Sequence, residues 1–114
     1  MANTTQWHIT FYEDRRERCP VLDFINSLSK SVQAKIYNAF RLLAEFGTAL
    51  GMPHARRIQG KLWELRPGGV RLFYFAYVQR QFVVLHGFRK QTNQTPKSEI
   101  EIAFRRMQEL ENEK

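Results

Sequence analysis

Three runs rich in β-branched and aromatic residues follow one another in this chain, separated only by turn-forming residues. Residues 62–66 lead into Pro67-Gly68-Gly69, residues 70–78 into Gln79-Arg80, and residues 82–90 into the polar stretch 91–94. Connections this short allow only antiparallel hairpins, because a parallel crossover needs about a dozen residues or more. A three-stranded meander is therefore the expected centre of the fold.

The rest of the chain supplies what packs on that meander. In residues 6–12, Trp7, Ile9 and Phe11 alternate with more polar residues, the period of a strand. After a charged loop, Pro20 suits the first turn of a short helix with Val21, Phe24, Ile25 and Leu28 on one face. Ser29 or Ser31 can cap a longer helix striped by Val32, Ile36, Ala39, Phe40, Leu43 and Phe46, and Gly47 stands where it ends. Gly51-Met52-Pro53 reads as a loop that continues into the basic run Arg56, Arg57 and Lys61. Thr95 and Pro96 mark the cap and first position of a last helix. Its buried face is Ile100, Ala103, Phe104, Met107 and Leu110, with Glu99 near its positive end. The expected order is β-α-α-β-β-β-α: one compact α+β domain over residues 1–114, its helices packed against an antiparallel sheet.

Net charge is confined to one part of this chain. Residues 47–97 hold nine Lys/Arg and a single acid, Glu64, for +8; the flanks hold nine Lys/Arg and ten acids, for −1; the sum is the +7 of the whole. A segmental charge of this kind is a directed field that draws polyanions. The competing reading is an ordinary solvated basic surface.

The hairpins make the placement of those cations testable. If Gly68-Gly69 and Gln79-Arg80 are both two-residue turns, Arg66 faces Arg71, Glu64 faces Phe73, and Phe73 faces His86. One side of the meander then gathers Glu64, Arg66, Arg71, Phe73, Phe75, Val84, His86, Phe88 and Lys90 as a basic and aromatic surface. The other gathers Trp63, Leu65, Leu72, Tyr74, Ala76, Val83 and Leu85 as the core beneath the helices. Opposed arginines repel, so a face that tolerates them suits an anion such as phosphate. Alternatively Glu64 neutralises one of them, or a three-residue turn separates the pair.

His86 lies in an apolar strand, where a hydrogen-bonded core histidine competes with a catalytic base; Arg71 and Lys90 as neighbours would favour its neutral form. His54 is a more exposed alternative. Three scattered histidines and one cysteine, Cys19, give no metal-ligand spacing, so neither a metal nor a cofactor is expected. Residues 1–10 lack a basic start and an apolar run, and no stretch approaches a membrane span; a cytoplasmic protein without membrane contact is the expectation. RNA brings its own nucleophile, the 2′-hydroxyl, so basic residues that bind and stabilise phosphate suffice for much of its cleavage. Arg56, Arg57, Lys61 and Arg89 are candidate RNA-binding cations, and Phe73 a candidate ring for stacking on a base.

The strings Leu62-Trp63-Glu64-Leu65-Arg66, Val70-Arg71-Leu72-Phe73-Tyr74-Phe75 and Leu85-His86-Gly87-Phe88-Arg89-Lys90, followed by Thr92 and Thr95-Pro96, resemble the HigB-like branch of the RelE/ParE toxin superfamily, which includes phage-derived HigB-type toxins. The resemblance spans nearly the whole chain. It implies a RelE-like fold and a type II toxin that cleaves mRNA in the ribosomal A site and is held inactive by a cognate antitoxin, often of the helix-turn-helix kind. Carried onto matching positions, Arg71, Arg66 and Lys90 bind phosphate and stabilise the transition state, and His86 or Tyr74 transfers the proton. Gln91 and Gln94 depart from the lysines usual there. A gyrase poison of the ParE kind, or an inactive nucleic-acid-binding relic, is the alternative implied.

Overall fold

The computed structural model describes residues 6–113. The expectations for residues 1–5, including the lack of a signal segment, lie outside the described residues. Strand β1 (His8–Phe11) is followed by α1 (Pro20–Asn26), α2 (Lys30–Phe46), a single 3₁₀ turn, β2 (Ala55–Gln59), β3 (Leu62–Leu65), β4 (Val70–Ala76), β5 (Gln81–Arg89) and α3 (Lys97–Asn112). The five strands form one sheet in the order β1-β5-β4-β3-β2. The α+β class and the meander hold, with two additions.

The basic run expected as a loop contains strand β2, which pairs with β3 so that Arg56 lies beside Glu64. Its sequence, Ala55-Arg56-Arg57-Ile58-Gln59, lacks apolar alternation, and its partner strand makes it extended. The sheet is also mixed, because β1 runs parallel to β5.

Helix α2 begins and ends on local chemistry. Ser29 Oγ accepts from the Val32 N–H at 3.3 Å, one of the orphan donors of a helix start. Gly47 ends it at φ +59, and a Cβ there would come within 2.5 Å of Trp7 Nε1, so only glycine fits both the backbone and the space. Phe46 departs from the expected stripe and is exposed.

The first hairpin turns on Gly68 and Gly69, with the Val70 N–H on Pro67 O at 3.2 Å. The expected pairing of Glu64 with Phe73 follows. The second hairpin is one residue longer than expected. The Tyr77 N–H bonds Gln81 O at 2.7 Å, enclosing Val78, Gln79 and Arg80. A bulge at Leu85 then restores the register, so that Phe73 faces His86 while Tyr74 faces Val84. The freed Leu85 carbonyl accepts from Arg106 Nη1 at 2.8 Å, which ties α3 to the bulge.

Both faces of the sheet are covered, which corrects the expectation of one open face. Leu65, Leu72, Tyr74, Phe82 and Val84 pack with Ile25, Ile36, Phe40 and Leu43 of α1 and α2. Phe73, Phe75, Val83, Leu85 and Phe88 pack with Ala103 and Met107 of α3. The bulge moves Val83 and Leu85 to the α3 side and Val84 to the other, the reverse of their expected faces. Tyr12 Oη donates to Glu109 Oε1 at 2.9 Å, and Tyr77 Oη to Leu110 O at 3.0 Å, fastening the far end of α3. No helix among the described residues is long and apolar enough to cross a membrane.

Candidate active site

Glu64 has no exposed surface, yet it is the centre of a basic cluster. Strand pairing brings Arg56 to its side, and the 66–71 hairpin brings the other two arginines. Arg56 Nη2 lies 3.3 Å, Arg66 Nε 3.8 Å and Arg71 Nε 3.9 Å from Glu64 Oε1. The opposed-arginine reading and the Glu64 reading are thus both realised: one carboxylate is shared among three guanidiniums.

Thr95 closes this cluster from the loop before α3. Its hydroxyl donates to Glu64 Oε2 at 3.1 Å and accepts from Arg56 Nη2 at 3.1 Å. Thr95 was expected to cap α3; instead Pro96 stands at the N-cap with no side-chain cap bond. The buried carboxylate, needing a donor, takes the hydroxyl. Glu64 Oε1, Arg56 Nε and Arg66 Nε are buried without a well-directed hydrogen bond. Arg56 and Arg66 therefore face the carboxylate by charge more than by directed bonds and keep donors for another acceptor.

Arg71 is the most enclosed of the three. Its Nη1 donates to Gly68 O at 2.8 Å and Val70 O at 2.9 Å, fixing the guanidinium plane. Burial, then repulsion from Arg66, holds its pKa below the usual arginine range, with Glu64 opposing. An arginine stays charged regardless, so this is a cation short of counter-charge. Lys90 stands exposed at the rim, its backbone N–H on Gly69 O at 2.8 Å. Arg56, Arg66, Arg71 and Lys90 line one cleft with Phe88 and the loop 91–96. That cleft encloses about 10 Å³, room for a single water.

The other sequence candidates lie elsewhere. His86 turns towards α3 and donates from Nε2 to Glu99 Oε1 at 2.6 Å, its ring stacked on Phe88. Burial lowers its pKa and outweighs Glu99, which raises it; Arg106 and Arg105 also lower it. Its charged neighbours are thus on α3, in place of the expected Arg71 and Lys90. Tyr74 is buried against α1 and α2, on the opposite face from the cluster, and burial raises its pKa. It cannot transfer a proton at this cleft. Phe73 is fully buried beneath α3 and cannot stack on a base.

Arg57 points away from its neighbour Arg56 and bonds Gly60 O at 3.0 Å. Lys61 pairs with Glu111 at 2.7 Å, beside the end of α3. Arg89 is exposed, on the opposite parity from Phe88 and Lys90. A depression of about 720 Å³ lies between the β1–α1 connection and the end of α3, lined by four acids, Glu13, Asp14, Glu109 and Glu113, against one cation, Arg15. Its acidic walls disfavour phosphate, so size does not locate the site. Among the described residues no His/Cys/Asp/Glu group could hold a metal.

Residues 23–108 match the family model described as Phage derived protein Gp49-like (DUF891). The chain belongs to this family. No curated protein sequence matches it. Among solved structures, the RelBE2 toxin–antitoxin complex of Mycobacterium tuberculosis is 14% identical with a TM-score of 0.56, covering 75% of this chain and 99% of that one. The free E. coli toxin RelE, carrying two arginine-to-alanine substitutions, is 19% identical with a TM-score of 0.53, covering 90% and 98%. At such identities the likeness is one of fold, and this Gp49-like chain has the RelE-like fold expected from its motifs.

Two residues of the site escaped sequence reasoning as functional: Glu64 as the organiser of the arginines and Thr95 as its partner. Glu64 did carry a signal, being the one acid among the ten charged residues of the 47–97 segment. Thr95 carried none beyond its place before proline.

Proposed function

We propose that this Gp49-like protein is the toxin of a type II toxin–antitoxin pair and acts as a ribosome-dependent mRNA endoribonuclease. One observation carries the proposal: three arginines and Lys90 converge on one cleft around a single buried carboxylate. Three guanidiniums against one carboxylate leave two positive charges uncompensated there, and Lys90 adds a third. A phosphate that enters supplies the missing counter-charge and offers acceptors to the free donors. The charge grows as the phosphorus becomes five-coordinate, so rigidly held guanidiniums stabilise the transition state more than the ground state.

The reaction has the 2′-oxygen attack the adjacent phosphorus, leaving a 2′,3′-cyclic phosphate and freeing the 5′-oxygen of the next nucleotide as a hydroxyl. Arg71, fixed by two backbone carbonyls, is the principal phosphate ligand; Arg66 and Lys90 flank it, and Arg56 completes the charge. Glu64 is too enclosed to reach a 2′-hydroxyl, and His86 is engaged by Glu99 behind Phe88. The chain supplies charge stabilisation, and the ribosome supplies alignment of the mRNA. A cognate antitoxin neutralises the cleft, in keeping with the toxin–antitoxin complex that shares the fold. The 10 Å³ cleft must open for phosphate, and the Thr95 contacts are where it opens.

The test is a translating extract to which the purified protein is added, with mRNA ends mapped. Expected are in-frame cuts bearing 2′,3′-cyclic phosphates, lost when ribosomes are omitted. Equal cleavage of naked RNA removes the ribosome from the proposal; intact mRNA removes the nuclease.

A further inference from the structure

Arg66 lines two clefts. Besides the one shared with Arg71, it borders a second of about 200 Å³ between α2 and the 66–70 turn, with Lys35, Asn38, His54 and Gly68 among its lining residues. Nothing in the sequence motifs assigned this cleft. We infer that it is a second phosphodiester subsite, holding the RNA phosphate next to the one in the Arg71 cleft. The inference rests on the nuclease reading and extends its surface onto α2.

Four observations support it. The lining contains two formal cations, Lys35 and Arg66, with His54 and no acid. Lys35 has no ion pair among the described residues, and its stem lies across the turn, where a Cβ on Gly68 would stand 3.3 Å from Cδ. Asn38 Oδ1 accepts from Arg41 Nη2 at 2.8 Å, leaving the amide NH₂ as the donating end. Among the described residues Arg66 Nη1 bonds the Met52 thioether alone, at 3.2 Å, and Met52 is 63% exposed. A thioether is a weak acceptor, so a phosphate oxygen displaces it at small cost. One guanidinium then bridges adjacent phosphates, using its fork in both clefts. This cleft is also roomy and open, whereas the Arg71 cleft is closed by the 91–96 loop. A strand can therefore seat here first.

The probe is a six-nucleotide 2′-O-methyl RNA, which cannot be cleaved, together with versions carrying one neutral methylphosphonate at each linkage in turn. Binding to the intact protein is followed by anisotropy across a salt series. Lys35→Ala is expected to lower affinity about three- to tenfold and to flatten the log K against log salt slope by about 0.7, one single-strand phosphate contact. In that variant a single linkage becomes insensitive to methylphosphonate, adjacent to the linkage made insensitive by Arg71→Ala. Lys30→Ala, an exposed lysine of α2 outside this cleft, is expected to leave affinity and slope unchanged. Wild-type affinity in Lys35→Ala, an equal loss in Lys30→Ala, or no binding by a protein that still cuts ribosome-bound mRNA overturns the second subsite alone. Indifference of binding and of cleavage to Arg71→Ala overturns the nuclease reading as well.

Discussion

Glu64 decides the chemistry at the residue scale. Removing its charge leaves three guanidiniums facing one another with nothing between them, and breaking a buried ionic group of this kind costs about 3–5 kcal/mol. Glu64→Gln keeps the shape and is expected to lower the urea midpoint by that order, with part of the loss recovered in phosphate buffer as an anion takes the vacated role. An unchanged midpoint would mean the arginines do not depend on the carboxylate. His86 gives a pH signature. Its pKa is depressed in the fold, so the unfolded chain takes up the proton first, and stability falls as pH drops through the ordinary value of 6.5 towards the folded one. His86→Gln is expected to flatten this part of the acid limb in denaturation curves, leaving the carboxylate-driven loss at lower pH.

At the scale of elements, the site depends on two irregularities in the meander. The three-residue loop at Val78–Arg80 shifts β5 by one, and the Leu85 bulge shifts it back. The pairing of Phe73 with His86 was legible in the sequence only because these shifts cancel, and the faces of Val83–Leu85 were not legible for the same reason. Helix α3 was visible as an amphipathic stripe, but not what it covers; its apolar face answers Phe73, Phe75 and Phe88, which alternation alone marked as an open surface. Strand β2 was hidden because a basic edge strand has no periodic signature. The loop 91–96 is held to the arginine cluster by Thr95, so Thr95→Val is expected to speed amide exchange across 91–100 without changing exchange in β4. Equal protection in the variant would place the closing contacts elsewhere. At Gly87 α1 comes close to the sheet: a Cβ there would meet Leu72 Cδ2 at 2.6 Å and Phe24 Cδ2 at 2.9 Å. Gly87→Ala is expected to cost about 1–3 kcal/mol by overpacking, read as a lower urea midpoint.

For the whole molecule, the sheet separates the α1–α2 layer from α3, and the basic cluster stands where β2, β3, β4 and the loop before α3 meet. The +8 of residues 47–97 was legible as a directed field, but its focus was not. Folding sorts the cations, sending Lys61 to Glu111, Arg57 to Gly60 O and Arg80 over the Trp7 ring at 5.0 Å. Arg56, Arg66, Arg71 and Lys90 line the cleft, a selection made by strand pairing between segments distant in sequence. The central claim is that the buried guanidinium of Arg71 stabilises the transition state on ribosome-bound mRNA. The most direct measurement is the single-turnover cleavage rate on programmed ribosomes for wild type, Arg71→Lys and Arg71→Ala, each first shown to be folded. Arg71→Ala is expected to slow cleavage by about 10²–10³, the loss of one preorganised charge-stabilising group, with Arg71→Lys between. Cleavage by folded Arg71→Ala at the wild-type rate would contradict the account.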